Sequence, residues 1–342
     1  MQRLVVVGAT GAVGTEMLAI LEQRGRTAGD VVAVASPRSA GRRLRFGGGH
    51  LEVVSLGEFE FRPADVCIFD VPDDVARQWG PLAAAAGAVV VDNSAAWRMD
   101  EDVPLVVPEI NPHEAAVRPK GIIASPNCTT LAMVVPLAPL HARAGLERLI
   151  VASYQATSGA GKPGVDDLWE QTQTAAKESE LICSGLAREV LEPGAAFPHP
   201  IALNVLPQAG SFKEGGFTSE ELKLCNETRK IMGLPELRVT ATCVRVPVVT
   251  GHGVAIHAEF SKPLDPHEAR SLLRAAPGVE VVDDPAALVY PTPLEAAGRD
   301  PCFVGRIRQD PFDDKALELF CVADNLRKGA ALNAVQIAEL VV

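Results

Sequence analysis

Short, unbroken apolar runs alternate with mixed stretches through the first third of the chain. Leu4–Val7, Val31–Ala35, Val66–Phe69, Val89–Val91 and Ile122–Ala124 read as strands with no polar face. Gly14–Glu22 and Pro72–Ala86, lying between them, read as helices. Fully apolar strands separated by helices predict a parallel sheet covered on both faces. The rhythm changes after about residue 145. Longer strand candidates follow, at Leu149–Gln155, Thr240–Val249, Val254–Phe260, Cys302–Gln309 and Leu317–Ala323. Their spacing predicts hairpins and an antiparallel or mixed sheet. Cys183–Pro207, rich in Pro and Gly, reads as a long loop, and Lys328–Leu340 as a final helix.

Composition narrows the class. With 342 residues, 47% hydrophobic and 22% charged, the chain has material for two domains with sizeable cores. Its formal net charge of −11 gains nothing from counterion release, so a nucleic-acid partner is not expected. The seven cysteines are odd in number and show no C-x-x-C spacing, which predicts a reducing, cytoplasmic setting and no metal. The apolar start Met1–Val7 breaks into Gly8-Ala9-Thr10-Gly11, as a buried strand and turn would, so export is not expected. Gly121–Ala142 carries no Asp, Glu, Lys or Arg, but Ser125-Pro126-Asn127-Cys128 interrupts it with a loop. A membrane span is not expected there.

Two motifs carry chemistry. Gly8-Ala9-Thr10-Gly11-Ala12-Val13-Gly14 follows a strand and opens a helix. Glycines there permit a tight turn and let backbone N–H groups approach a pyrophosphate at the helix N-terminus, although such a turn can also be purely structural. The next strand ends in Ala35-Ser36-Pro37-Arg38-Ser39, followed by Arg42 and Arg43, where an NAD site would carry a carboxylate. Arg and Ser can hold a 2′-phosphate, so NADP(H) is the expected cofactor; an unliganded basic loop is the alternative. The second motif is Ser125-Pro126-Asn127-Cys128-Thr129-Thr130. Asn127 suits an N-cap, which puts Cys128 in a first helical turn, where the helix dipole favours a thiolate. Residue type alone leaves Cys128 open between a nucleophile and a small buried hydrophobe.

The chain resembles the aspartate-β-semialdehyde dehydrogenase family. The resemblance rests on Gly8–Gly14, Asn93-Ser94-Ala95-Ala96-Trp97-Arg98-Met99-Asp100, Pro126–Thr130 and Ser153–Gly161. It continues through Glu214–Lys223, Cys243–Val248 with Gly251-His252, and Asp324–Ala331. It implies that aspartate 4-semialdehyde, phosphate and NADP⁺ give 4-aspartyl phosphate and NADPH, with reduction as the biosynthetic direction toward lysine, methionine and threonine. By the same resemblance Cys128 forms an acyl-thioester, His252 is the general acid/base and Gln155 orients substrate. Arg245 would pair with the substrate carboxylate and Glu220 with its ammonium or with the positioning of the site. Arg98, Asn127 and Lys223 would hold phosphate. Gly8, Thr10, Gly11, Ala12, Val13, Ser36, Arg38, Ser39, Ser158, Gly159 and Asn325 would contact the cofactor. Thr129, Gly253, Ala95 and Ala96 stand where the family often has serine, and none of these changes removes a named group. The implied organisation is a Rossmann-type doubly wound domain over residues 1–127, to which a C-terminal helix in 325–342 returns. An α+β catalytic and dimerisation domain with a mixed or antiparallel sheet covers 128–324. A homodimer is expected, with a tetramer left open.

The residue types close a reaction without a metal: a thiol nucleophile, a proton carrier and a nicotinamide for hydride. Arg245 lies in an apolar strand, where an unpartnered charge is costly, so it points to a carboxylate ligand or to an edge salt bridge. His252 follows Val248-Val249-Thr250-Gly251, a turn signal, and a hairpin there would set Arg245 and His252 side by side; a polar turn residue is the bland alternative. Glu220 and Lys223 share a helical face that could be only solvated, and Thr218 with Glu221 matches a capping box. N-acetyl-γ-glutamyl-phosphate reductases, the nearest enzymatic rival, surround their cysteine with a Gly-Cys-Tyr pattern that Asn127-Cys128-Thr129 does not match. A silent paralogue would be expected to lack Cys128, Gln155 or His252, and glyceraldehyde-3-phosphate dehydrogenase motifs do not match.

Overall fold

The computed structural model describes residues 3–342. Met1 and Gln2, the start of the apolar N-terminal stretch, lie outside the described residues. Two compact units emerge. One takes the chain up to Val135 together with Asn226–Pro235 and Leu326–Val342; the other comprises Pro136–Cys225 and Glu236–Asn325. The division expected between residues 127 and 128 falls at the start of a helix, Cys128–Ala144, whose first eight residues stay with the first unit.

The first unit holds a seven-stranded sheet. Its strands are β1 (Leu4–Val7), β2 (Val31–Ala35), β3 (Arg43–Phe46), β4 (Gly49–Ser55), β5 (Val66–Phe69), β6 (Val89–Asp92) and β7 (Ile122–Ala124), in the order β3-β4-β2-β1-β5-β6-β7. Every pairing is parallel except β3 with β4, an edge hairpin. Arg43, read as part of a basic loop, therefore begins this edge strand. All residues of β1 and β5 are buried, which is why these runs carry no polar alternation. The strand order reverses beside β1, the place where doubly wound sheets bind ligands at their carboxyl ends.

One face of this sheet is sealed by a segment that follows the second unit in sequence. A π-helical turn, Arg327–Ala331, leads into the helix Leu332–Glu339. Leu332, Val335 and Ile337 share a core with Leu4, Val6, Met17 and Leu21. Lys328, 1% exposed, is held by both carboxylate oxygens of Glu109 at 2.8 Å and by Asn333 and Gln336. A buried ammonium needs such a full set of acceptors.

The second unit holds a six-stranded mixed sheet. Its strands are β8 (Leu146–Gln155), β9 (Arg238–Arg245), β10 (His252–Phe260), β11 (Val279–Val281), β12 (Cys302–Gln309) and β13 (Ala316–Ala323), in the order β11-β12-β13-β10-β8-β9. Here β8 pairs parallel with β9 and antiparallel with β10. The expected hairpin between Thr240–Val249 and Val254–Phe260 is not formed, because β8 lies between β9 and β10. Its hydrogen-bonding edges are satisfied by one strand on each side, so the connection from Val246 to Gly251 crosses over its end.

Among the described residues, no helix is long and apolar enough to cross a membrane.

Candidate active site

In the first unit the Gly-rich turn is shaped by contacts that a side chain would abolish. Gly8 has φ +98°, and a Cβ there would lie 2.1 Å from the Asp70 carbonyl oxygen beyond β5. A Cβ on Gly14 would lie 2.2 Å from the Gly8 oxygen. The helix Ala12–Gln23 that follows has no side-chain cap at Gly11 and no acidic residue in its first turn. Gly11 and Ala12 are exposed, and the Gly11 N–H closes the turn on the Gly8 oxygen at 2.9 Å, which leaves the first N–H groups of the helix itself without a side-chain cap. Thr10 Oγ1 lies 3.2 Å from Ser39 Oγ, which joins this turn to the end of β2. Ser36 and Arg38 are exposed beside it. The chain here fits a dinucleotide.

Cys128 lies in the same unit. Asn127 Oδ1 accepts the N–H groups of Thr129 at 2.9 Å and Thr130 at 3.3 Å, so it caps the helix as its type predicts. Cys128 is half-buried between buried Asn127 and Thr129. Cys67, Cys243, Cys302 and Cys321 are buried; burial pushes the Cys243 thiol up to about 12, and the Cys67 and Cys321 thiols further. Cys183 is exposed, and Cys225 donates to the Val239 carbonyl.

Two residues of the helix Ser219–Met232 were not anticipated as part of this region. Glu227, 1% exposed, accepts the Asn127 N–H at 2.6 Å through Oε2 and Arg98 Nη1 at 3.1 Å through Oε1. Arg98 also donates to the Asn93 carbonyl at 2.6 Å. Lys230 donates to three carbonyls of the same loop, those of Arg98, Asp100 and Val103. Glu227 thus ties the expected phosphate residues Arg98 and Asn127 to one carboxylate.

In the second unit, strand ends converge. Gln155 ends β8 in register with Arg245 at the end of β9, and His252 begins β10. Register therefore brings Gln155 together with Arg245 and His252, about 90 and 97 residues on, with β8 between the other two strands. Arg245 donates to the Ala156 carbonyl at 2.6 Å and lies over the Phe197 ring. Gln155 Nε2 reaches Glu220 Oε2 at 3.4 Å, and Glu220 Oε1 accepts Lys223 Nζ at 2.6 Å. Glu221 behaves as a capping-box residue with Thr218 and also accepts the Cys243 N–H at 3.0 Å, which anchors the helix to β9. Asn325 donates to Ser158 Oγ at 2.9 Å and accepts the Gly251 N–H at 2.8 Å. Gly159 lies against the group: a Cβ there would be 2.9 Å from Arg245 Nη1. His252 is fully buried, and burial, reinforced by the Arg245 charge and opposed by Glu220, pushes its pKa down to about 3.

His257, on the same strand, belongs to a separate cluster with Asp310 and Glu318 whose polar atoms lie within 4.8 Å of one another. Its Nδ1 meets Glu318 at 2.7 Å. Burial lowers its pKa, but Glu318 and Glu259 outweigh this and raise it. The cluster reads as a set of surface ion pairs on the sheet.

A Gly-rich turn that fits a dinucleotide, a capped helix start carrying a cysteine and a polar strand-end cluster are the parts that a dinucleotide-dependent aldehyde dehydrogenase needs. The profile of the semialdehyde dehydrogenase NAD-binding domain matches residues 3–117, and that of the semialdehyde dehydrogenase dimerisation domain matches residues 137–328. The aspartate-semialdehyde dehydrogenase of Corynebacterium glutamicum is 49% identical, with all of both chains covered. Aspartate-semialdehyde dehydrogenase II of Vibrio cholerae complexed with ASA has TM-score 0.92 and 40% identity, covering 99% of this chain and 98% of that one. The Candida albicans enzyme with NADP has TM-score 0.75 and 26% identity, covering 99% and 98%. The chain belongs to the aspartate-semialdehyde dehydrogenase family.

Proposed function

We propose that this enzyme converts L-aspartate 4-semialdehyde, phosphate and NADP⁺ reversibly to L-4-aspartyl phosphate and NADPH, through a thioester on Cys128. The observation that carries the reading is the cysteine itself, half-buried in a helical first turn whose N–H groups are ordered by Asn127. A thiol there is favoured as thiolate by the helix dipole. Two family relatives, one complexed with ASA and one with NADP, support the substrate and cofactor.

The thiolate of Cys128 attacks the aldehyde carbon, His252 acts at its oxygen, and Gln155 orients the group. Arg245 takes the substrate carboxylate and Glu220 its ammonium, while Arg98, Asn127 and Lys223 serve phosphate. Splitting the reaction at a thioester separates oxidation from phosphorolysis. The cofactor would be held by Gly8, Thr10–Val13, Ser36, Arg38 and Ser39, with Ser158, Gly159 and Asn325; its nicotinamide supplies the hydride acceptor. Ser36, Arg38 and Ser39, with no carboxylate among them, favour NADP over NAD. The enzyme would work in the cytoplasm in lysine, methionine and threonine synthesis. A homodimer, with a tetramer as the further possibility, agrees with the match to a dimerisation domain.

The test follows NADP⁺ reduction with L-aspartate 4-semialdehyde, with and without phosphate, beside Cys128→Ala and N-acetylglutamate semialdehyde. Phosphate-dependent turnover with the aspartyl aldehyde is expected, and it should fall by about a thousandfold or more in Cys128→Ala. Turnover with only the acetylated glutamyl aldehyde would sink the substrate assignment.

A further inference from the structure

The Gly-rich turn of the first unit has an acid beside it that does not come from its own helix. The helix Ala12–Gln23 carries no acidic residue in its first turn. Asp70, just past the end of β5, supplies one from the neighbouring strand. Its backbone N–H donates to the Val7 carbonyl at 2.8 Å. A Cβ on Gly8 would lie 3.5 Å from the Asp70 Cβ, and one on Gly11 would lie 3.9 Å from Asp70 Oδ2. The carboxylate is therefore set against the N-cap position of that helix, where a pyrophosphate is expected.

The surroundings of Asp70 do little to hold its charge. From the end of β6 the Asn93 amide donates to Oδ1 at 3.5 Å, a long bond. The other charged groups of this corner are engaged elsewhere or exposed. Asp92 accepts the Ser94 hydroxyl at 2.6 Å, and Asp73, at the start of the helix Asp73–Ala85, accepts the Ala95 N–H at 2.9 Å. Asp74 is exposed, Glu16 pairs with Arg327, and Arg38 is exposed on the β2 side. Burial pushes the Asp70 carboxyl up, and only the Asn93 hydrogen bond opposes this.

We infer that Asp70 sets the charge of the nucleotide site: as a carboxylate it opposes the cofactor's pyrophosphate, and as the neutral acid it admits it, so that NADP(H) binds with uptake of a proton at Asp70. The inference rests on the dinucleotide reading above. The proton comes from solvent onto a carboxylate oxygen, and no bond of the cofactor changes. The acid then carries an O–H that can donate toward an anion, where the carboxylate could only repel it. A bound anion raises the Asp70 pKa above its value in the free protein. Affinity is therefore full below the free pKa, falls as pH rises through the pKa of the complex, and levels off above it.

Titration calorimetry of NADP⁺ with the full-length enzyme, from about pH 5 to about pH 8.5 in buffers of different ionisation heat, counts the protons taken up. Asp70→Asn keeps the shape of the side chain and the Oδ1 acceptor for Asn93 but removes the charge. It should bind NADP⁺ about tenfold more tightly than wild type at the top of this range, with the gap closing as pH falls. The wild type should take up protons that this variant does not; the 2′-phosphate of NADP⁺ titrates with both and cancels. Asp92→Asn, which removes the neighbouring acid that burial pushes up to about 6, should keep the wild-type uptake. Equal affinities and proton counts in wild type and Asp70→Asn would overturn the inference. So would weaker binding by Asp70→Asn, or loss of the uptake in Asp92→Asn alone. If Asp70→Asn does not fold, the wild type with NAD⁺, which lacks the 2′-phosphate, decides: no uptake anywhere in the range overturns the inference. Failure of folded wild type to bind either dinucleotide would instead bring down the cofactor reading, and the inference with it.

Discussion

Around Cys128 the fixed groups come from a helix start and from side chains far away in sequence. Around His252 they come from strand ends whose register leaves little choice. Asn127 caps the cysteine helix with its own side chain, and Glu227 steadies Asn127 and Arg98 from 100 residues or more away. Gln155, Arg245 and His252 meet because β8 and β9 end where β10 begins, with Glu220 and the Ala156 backbone as hydrogen-bond partners. The residues that flank Cys128 are thus held by one buried carboxylate, and His252 by the sheet. A failure in the first region should be local and severe, and a failure in the second should act through charge and protonation.

Removing Glu227 is the strongest way to break this contrast. Glu227→Ala leaves the Arg98 charge buried without its carboxylate and should cost about 3–5 kcal/mol in a denaturant unfolding series. An unchanged midpoint would show that the cysteine region does not depend on that carboxylate.

The histidine region should reveal itself through acid. The folded pKa of His252 near 3 lies below the ordinary value of about 6.5. Both states are neutral above that ordinary value, so the full stability is present there. As pH falls, the unfolded chain gains a proton that the folded one refuses, and stability is lost down to the folded pKa. The loss should reach roughly 2 kcal/mol by pH 5. His252→Gln should remove that part of the acid slope in parallel melts at several pH values; an unchanged slope would assign it to other groups.

The mildest change is Asn127→Ala. Losing the cap should lower stability by about 1 kcal/mol and leave the helix Cys128–Ala144 in place, read by thermal unfolding and circular dichroism. A much larger loss would mean that Asn127 does more than cap.

Much of this was legible beforehand. The runs Leu4–Val7, Val31–Ala35 and Val66–Phe69 coincide with strands because burial on both faces leaves an unbroken apolar signal. The Asn127 cap and the Thr218–Glu221 box were readable because they are local, three residues or fewer apart. What failed is non-local. The hairpin expected before His252 is absent because the neighbour of β10 is β8, and nothing within Arg245–His252 records that. Glu227 escaped notice because an acidic residue on a helix says nothing about a partner 100 residues upstream.

The closing of the first sheet by Leu332–Glu339 has a consequence for biosynthesis. A chain emerging from the ribosome makes β1 and the nucleotide turn long before the helix that seals their core. The earliest strands must therefore wait through the whole second unit with an apolar flank unsealed. A messenger truncated just before Leu326 would yield a protein with every strand of both sheets present and this core still open.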